Sequence, residues 1–145
     1  MLSKKAKYAL KALVLLCKQT ERESMQIGDI AREESIPKKF LELILLELKN
    51  HGILYSKRGK AGGYSLLKTP AEINLADIIR IIDGPMAFTP CSSKKFYRKC
   101  EECKDEKTCE LRHVMIAVRD AFCNVLEQTS LADVLASPLL IEIEA

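Results

Sequence analysis

The sequence lacks long apolar runs and the residue sets that enzymes use for catalysis. No stretch approaches the roughly 20 apolar residues that span a bilayer. Only two histidines occur in the 145 residues. We find no Ser/His/Asp set, no paired-carboxylate motif and no phosphate-binding glycine loop. We therefore expect neither a membrane protein nor an enzyme.

The N-terminus does not match a secretory signal. Lysines precede an apolar run, but Lys11 interrupts that run and no small-residue cleavage site follows. Leu10, Leu13 and Cys17 instead fall at helical spacing, which indicates an amphipathic helix. We expect a cytoplasmic protein, and in that compartment clustered cysteines favour metal or redox chemistry over structural disulfides.

Charge divides the chain into two parts. Residues 1–70 carry a net charge of +7 and residues 71–145 a net charge of −4, within a total of +3. A basic half joined to an acidic half suggests a nucleic-acid-binding region followed by a region with another task. A chance fluctuation on a solvated surface would give the same imbalance. We place the domain boundary at residue 70.

The basic half has the element order of a winged helix-turn-helix. Ser3 can cap a first helix that reaches about residue 19, and a second helix is predicted over residues 27–34. A third helix begins near Pro37 and ends at Gly52. Its apolar residues recur at steps of three and four and are expected to pack inward; they are Phe40, Leu41, Ile44, Leu45 and Leu48.

A β-hairpin is predicted after the third helix. Residues 53–55 and 64–67 are strand-like, and the segment between them contains three glycines and three basic residues. After a helix-turn-helix, such a hairpin is typical of a wing that contacts the DNA backbone or minor groove. A solvated hairpin of any small α+β protein is the alternative. The predicted DNA contacts of the wing are Lys57, Arg58 and Lys60, and those of the third helix are Lys38, Lys39, Phe40 and Glu42.

A long helix dominates the acidic half. Asn74 can cap a preceding helix that ends at Gly84, and the long helix is predicted over about residues 108–128, before a short helix capped by Ser130. One face of the long helix has heptad spacing, and a second apolar face accompanies it. A two-sided helix in so small a chain favours contact with a partner, although an intramolecular core face remains an alternative. The first face comprises Leu111, Val114, Val118, Ala121 and Val125, and the second Met115, Phe122 and Leu126.

Four of the six cysteines lie in a charged segment that cannot form a core. We expect Cys17 and Cys123, which lie on apolar helices, to be core residues. The clustered cysteines have a spacing that suits either zinc or an iron–sulfur cluster of the [2Fe–2S] or [4Fe–4S] type, and the spacing does not separate these. The clustered set is Cys91, Cys100, Cys103 and Cys109.

Several motifs together resemble the Rrf-two transcription factors, which include the IscR, NsrR and CymR types. They are IGDIA, IPKKFLELILLELKNHGIL, SKRGKAGGYSL, NLADIIRIIDGP and CELRHVMIAVRDAFCNVLEQTSLADVL. The resemblance covers nearly the whole chain, and RGKAGGY is its most specific part. It implies a mainly α fold with a β-hairpin wing. Residues 1–70 would bind DNA, and residues 71–145 would form a cysteine-loop sensor and dimerisation region. It further implies a homodimer, crossed through the long helix, on a double-stranded DNA operator.

The resemblance also implies ligands. Cluster-binding members carry three cysteines in this loop, and Cys91 and Cys109 match the first and last of them. Cys100 is extra, so the middle ligand is Cys100 or Cys103, or both. His113 is a candidate fourth ligand of the IscR type, one residue later than usual. NsrR-like members use an acidic residue of the first helix, where this chain has Lys7.

We therefore predict a regulator, in the first instance a repressor, that senses iron–sulfur, nitric oxide or redox status through an iron–sulfur cluster. A cluster-free member that uses zinc, thiols or a partner protein as its signal is the alternative. A small electron carrier is a third reading, which the winged helix argues against. Without a cofactor, residues 92–108 are expected to be mobile, because few apolar side chains there offset the chain entropy.

Overall fold

A computed structural model describes residues 2–19 and 23–137 as a mainly helical chain with one two-stranded hairpin, which confirms the predicted fold class. Within that part of the chain, no helix is both long and apolar enough to cross a membrane. The helices are α1 (Lys4–Cys17), α2 (Ile27–Glu33), α3 (Lys38–Asn50), α4 (Leu75–Asp83), α5 (Glu110–Gln128) and α6 (Leu131–Ala136); the strands are β1 (Leu54–Lys57) and β2 (Gly63–Leu66).

The predicted helix starts are confirmed by side-chain caps. The Ser3 hydroxyl accepts a hydrogen bond from the Ala6 N–H at 3.0 Å, and the Asn74 side chain accepts one from the Asp77 N–H at 2.9 Å. Ser130 caps α6 in the same way. Each cap satisfies an N–H that the first helical turn leaves without a partner. Because these caps are local, the sequence alone located them.

One hydrophobic core joins helices from both halves of the chain. Leu13 of α1 and Ile44 of α3 are fully buried, and they share a cluster with Ile78 of α4 and Leu131 of α6. The Leu131 N–H donates to the Ile73 carbonyl at 2.9 Å. The boundary at residue 70 therefore does not separate two cores, and the division into 1–70 and 71–145 remains a proposal about function.

Helix α5 differs from the other long helices because its own chain hardly buries it. Arg119 is the buried residue of this helix. The exposed fractions of Leu111 and Val125 are 70% and 63%. The heptad face is therefore not an intramolecular core face in the described part of the chain.

The glycines of the hairpin let its backbone lie close to the segment before α2. The Met25 and Tyr64 backbones exchange two hydrogen bonds of 2.9 Å. Gly63 has φ of 150°, and a Cβ atom there would lie 2.3 Å from the Met25 carbonyl oxygen. Only glycine permits this approach. The motif RGKAGGY therefore fixes where the hairpin sits.

We predict that Gly63→Ala lowers the free energy of unfolding by about 1–3 kcal/mol, because the new methyl group meets backbone in a strained conformation. Chemical denaturation measures the change. Gly28→Ala is the matched control, since Gly28 lies in α2 with open space around its Cα. Equal stability of the two variants would contradict this account of the hairpin.

Candidate functional site: a basic helix and wing, and a thiol loop

The turn between α2 and α3 orients the third helix. Ser35 has a left-handed φ of 54°, and the next residue, Ile36, is buried with 3% of its surface exposed. The Ile36 N–H donates to the Ala31 carbonyl at 2.9 Å. This tight turn fixes α3 against α2, and Lys38, Lys39 and Glu42 are exposed on α3.

Phe40 is placed differently from the other predicted DNA contacts. Its ring packs edge-on against Tyr8 with 5.7 Å between ring centroids, and it borders the core. The inward position of Phe40 agrees with the apolar period of α3. This placement favours a packing role for Phe40 over the DNA contact that we expected.

Leu43 and Leu46 are exposed residues of α3 that the sequence analysis did not select. Their exposed fractions are 61% and 47%. The available signal was that neither belongs to the inward-packing set of this helix. Apolar side chains on a DNA-reading helix can contact thymine methyl groups, so Leu43 joins the candidate contacts.

The tip of the hairpin carries three exposed basic residues, as predicted. Lys57, Arg58 and Lys60 are all exposed between β1 and β2. The Gln26 side-chain amide donates to the Lys60 carbonyl at 2.9 Å. Since Gln26 immediately precedes α2, the tip is attached to the helix-turn-helix and can act together with it.

The four clustered cysteines come together in part. Cys91 lies on a short 3-10 turn, Pro90–Ser92, and is 7% exposed. The Arg98 N–H donates to the Pro90 carbonyl at 3.2 Å, which returns the chain to this turn. As a result the Cys100 thiol lies against the Cys91 thiol.

These contacts make the thiols unequal. The Thr89 hydroxyl, 3.4 Å from Cys91 Sγ, lowers the pKa of Cys91, and the Cys100 thiol and the Arg112 charge act in the same direction. The hydrogen bond to Cys91 raises the pKa of Cys100. Loss of hydration raises the pKa of Cys103, with a contribution from the charge of Cys109. Cys91 is therefore the thiol that most readily ionises of these three.

The thiol loop has the donor atoms for a metal centre without an assembled site. In the described ranges, no three His, Cys, Asp or Glu side chains converge into a set that could hold a metal ion. His113 is exposed on α5. The Arg112 Nε atom, however, is buried without an acceptor in that part of the chain, close enough to act on the charge of Cys91. A buried cation beside four thiols fits an anionic thiolate centre.

Arg119 ties the start of the loop to α5. Its guanidinium donates to the Ser92 carbonyl and pairs with Asp120, which also pairs with the exposed Lys94 at 3.1 Å. Ser92 and Ser93 are buried. The expected mobile segment therefore contracts from residues 92–108 to 94–108.

The two remaining cysteines lie on helices. Cys17 packs at the edge of the core, and burial raises its pKa to about 11. Cys123 is half-buried on α5, with its sulfur 3.9 Å from the Met86 carbonyl, outside the main cluster. Cys17 therefore matches the core prediction more closely than Cys123 does.

The order of these parts, a helix-turn-helix, a wing, a thiol loop and a long exposed helix, can be compared with known families. A family described as Rrf2, iron-dependent transcriptional regulator, matches residues 2–137. The chain belongs to the Rrf2 family. The resemblance noted in the sequence is thereby confirmed. Rrf2 proteins are DNA-binding transcriptional regulators and not enzymes.

Relatives and solved structures agree with this assignment. An Rrf2-like HTH-type transcriptional regulator of Rhodobacter capsulatus is 42% identical, over 94% of this chain and 93% of that protein. CymR of Bacillus subtilis is 31% identical over 91% and 87%. The solved structure of CymR, the global cysteine regulator of B. subtilis, has a TM-score of 0.77 at 29% identity and covers 94% of this chain and 96% of that one. The structure of T. potens IscR shares the fold, with a TM-score of 0.73.

We predict that Arg119→Met loosens the turn that carries Cys91. Loss of the donor leaves the buried Ser92 carbonyl without a partner, which should lower the free energy of unfolding by about 1–3 kcal/mol. Hydrogen exchange at the Ser92 and Ser93 amides should accelerate. Lys94→Ala is the control, because Lys94 pairs with Asp120 from an exposed position. Unchanged exchange in Arg119→Met would show that the turn does not depend on α5.

Proposed function

We propose that this Rrf2 protein is a transcriptional repressor that binds an operator as a homodimer and senses iron–sulfur, nitric oxide or redox status through its thiol loop. It would act in the cytoplasm. The observation that carries the proposal is the position of the thiols on α5. Cys109 immediately precedes α5, and Cys91 is attached to it through Ser92 and Arg119. The candidate sensor therefore adjoins the candidate dimer helix directly.

DNA binding in this proposal uses two exposed basic surfaces. Lys38, Lys39 and Glu42 near the start of α3, with Leu43, would approach the major groove. The wing tip would approach the minor groove, where negative potential concentrates and favours arginine. Arg58 is the arginine of that tip, so it would read groove shape, and its lysine neighbours would contact phosphate.

The homodimer is proposed from the open stripe on α5. Leu111, Val114, Val118 and Val125 are large apolar side chains exposed along one helix, and Ala121 lies on the same face. Such a stripe marks an interaction surface. Its heptad spacing suits a second copy of the same helix, because a two-fold interface requires a self-complementary surface. A dimer would also give the two DNA-reading helices that a pseudo-palindromic operator requires.

The cofactor is proposed from the chemistry of the loop. Cys91, Cys103 and Cys109, with Cys100 as an additional thiol, would hold an iron–sulfur cluster. Such a cluster supplies redox activity and reactivity toward nitric oxide when bound. Arg112 would offset the negative charge of the thiolates with its unpartnered Nε–H. His113 remains a further candidate ligand, although it is exposed.

Coupling to DNA would pass through the backbone of the loop. Thiol ligation would draw residues 94–108 toward the start of α5 and restrict them. A change in the position of α5 would then change the spacing of the two DNA-reading units in the dimer. Such a mechanism gives a coupling free energy between the cofactor site and the operator site.

We predict that Arg58→Ala weakens binding to the specific operator by about 1–3 kcal/mol, because the side chain reads the groove. Titrations against specific and random duplexes measure the loss. Lys68→Ala removes one positive charge just beyond β2, away from the tip, and serves as the control. Equal affinities of wild type and Arg58→Ala for both duplexes would remove the wing from the proposed interface.

The function as a whole is tested by comparing reconstituted and cofactor-stripped protein. We predict iron and sulfide uptake under anaerobic reconstitution and a difference in operator affinity between the two forms of about 1–3 kcal/mol. A Cys91→Ala/Cys109→Ala variant should behave as the stripped form. Equal DNA binding by all three would mean that the cluster is not the switch. Failure to take up iron and sulfide, with zinc bound instead, would favour the zinc alternative.

A further inference from the structure

Cys91 and Cys100 are brought together by the backbone without any bound metal. The bond from the Arg98 N–H to the Pro90 carbonyl places the chain just before Cys100 beside the turn that carries Cys91. A second turn follows, in which the Cys103 N–H donates to the Cys100 carbonyl at 3.1 Å. The two thiols contact each other. This pairing contrasts with the lack of an assembled metal site among the described residues.

We infer that Cys91 and Cys100 are a disulfide-forming pair, a modification site distinct from metal ligation. A peroxide is the class of oxidant that the reaction requires. The Cys100 thiolate attacks one peroxide oxygen and becomes a sulfenic acid, and the other oxygen leaves as water after protonation. The Cys91 thiolate then attacks the Cys100 sulfur, forming the S–S bond and releasing the second water. The two thiols lose two electrons and two protons.

The surroundings of the two sulfurs agree with these roles. Cys100 is half-buried and thus reachable by a small oxidant, whereas Cys91 is nearly enclosed. A sulfenic acid formed on Cys100 would therefore have Cys91 as its neighbour. The alternative pair, Cys100 with Cys103, lacks the thiol–thiol hydrogen bond, and Cys103 acts on Cys100 only through its charge. Cys103 is instead more closely associated with Cys109.

A disulfide here would compete with the cofactor. This consequence rests on the proposed function, because it assumes that Cys91 is a ligand. Oxidation would remove two of the four clustered thiolates, so the oxidised chain should take up no cluster until it is reduced. The extra cysteine of this loop would then give the regulator a second, cofactor-free state.

The test uses the full chain, reduced and stripped of metal, and treated with stoichiometric hydrogen peroxide. We expect a mass loss of about 2 Da from the two thiol hydrogens. After alkylation and trypsin, the peptide that ends at Lys94 should be joined to the peptide released between Lys99 and Lys104. That second peptide contains Cys100 and Cys103, so serine variants must assign the bond. The link should survive in Cys103→Ser and disappear in Cys100→Ser.

The opposite pattern, or no link to Cys91 in the wild type, overturns the inference. Reduction with dithiothreitol should restore iron and sulfide uptake that peroxide treatment abolishes. The reduced wild type is reconstituted in parallel, and it reports on the proposed function alone. A disulfide with no cluster uptake in either form would leave the modification site standing and reject the cluster. Cluster uptake without a disulfide would do the reverse.

Discussion

The apolar stripe of α5, which its own chain leaves open to solvent, is the constraint on which the rest of the molecule depends. The core of the described chain is complete without α5, since α1, α3, α4 and α6 enclose it and include the fully buried Leu131. Exposed apolar surface of this kind is unfavourable in water. A second copy of the same helix would cover it and would place two DNA-reading units on one molecule.

The candidate sensor and the DNA-reading half are joined to opposite ends of a short series of contacts. Arg80 of α4 forms an ion pair with Glu127 of α5. At the other end of α4, Asp83 accepts a hydrogen bond of 2.9 Å from the Ser3 backbone N–H at the start of α1. Movement of α5 would therefore act on α1 through α4. Exposed pairs of this kind contribute little to stability, so they can rearrange without unfolding the core.

Local signals allowed most of the fold to be predicted from the sequence. Ser3, Asn74 and Ser130 act within a few residues of their own position, and the inward period of α3 repeats over its whole length. The glycines of the wing predicted a hairpin, but not the approach of Gly63 to Met25, because that contact joins segments far apart in sequence. The inclusion of Leu131 in the first core was missed for the same reason.

The candidate site was predictable by residue type and less so by arrangement. Cysteine spacing identified a thiol loop, but the pairing of Cys91 with Cys100 depends on a backbone bond from Arg98 that no spacing rule contains. The exposed basic residues of the wing were predicted correctly. Phe40 was assigned both to the core and to DNA, and its contact with Tyr8 favours the core. Arg119 escaped notice because a buried arginine has no sequence signal of its own.

The oligomeric state in solution tests the central claim most directly. Analytical ultracentrifugation at micromolar concentration should show the wild type as a dimer and Val118→Glu/Val125→Glu as a folded monomer, with circular dichroism to confirm its helices. Leu67→Glu replaces a leucine that is 50% exposed outside α5, and it should remain dimeric. A monomeric wild type, or a dimer that survives both glutamates, would contradict the account.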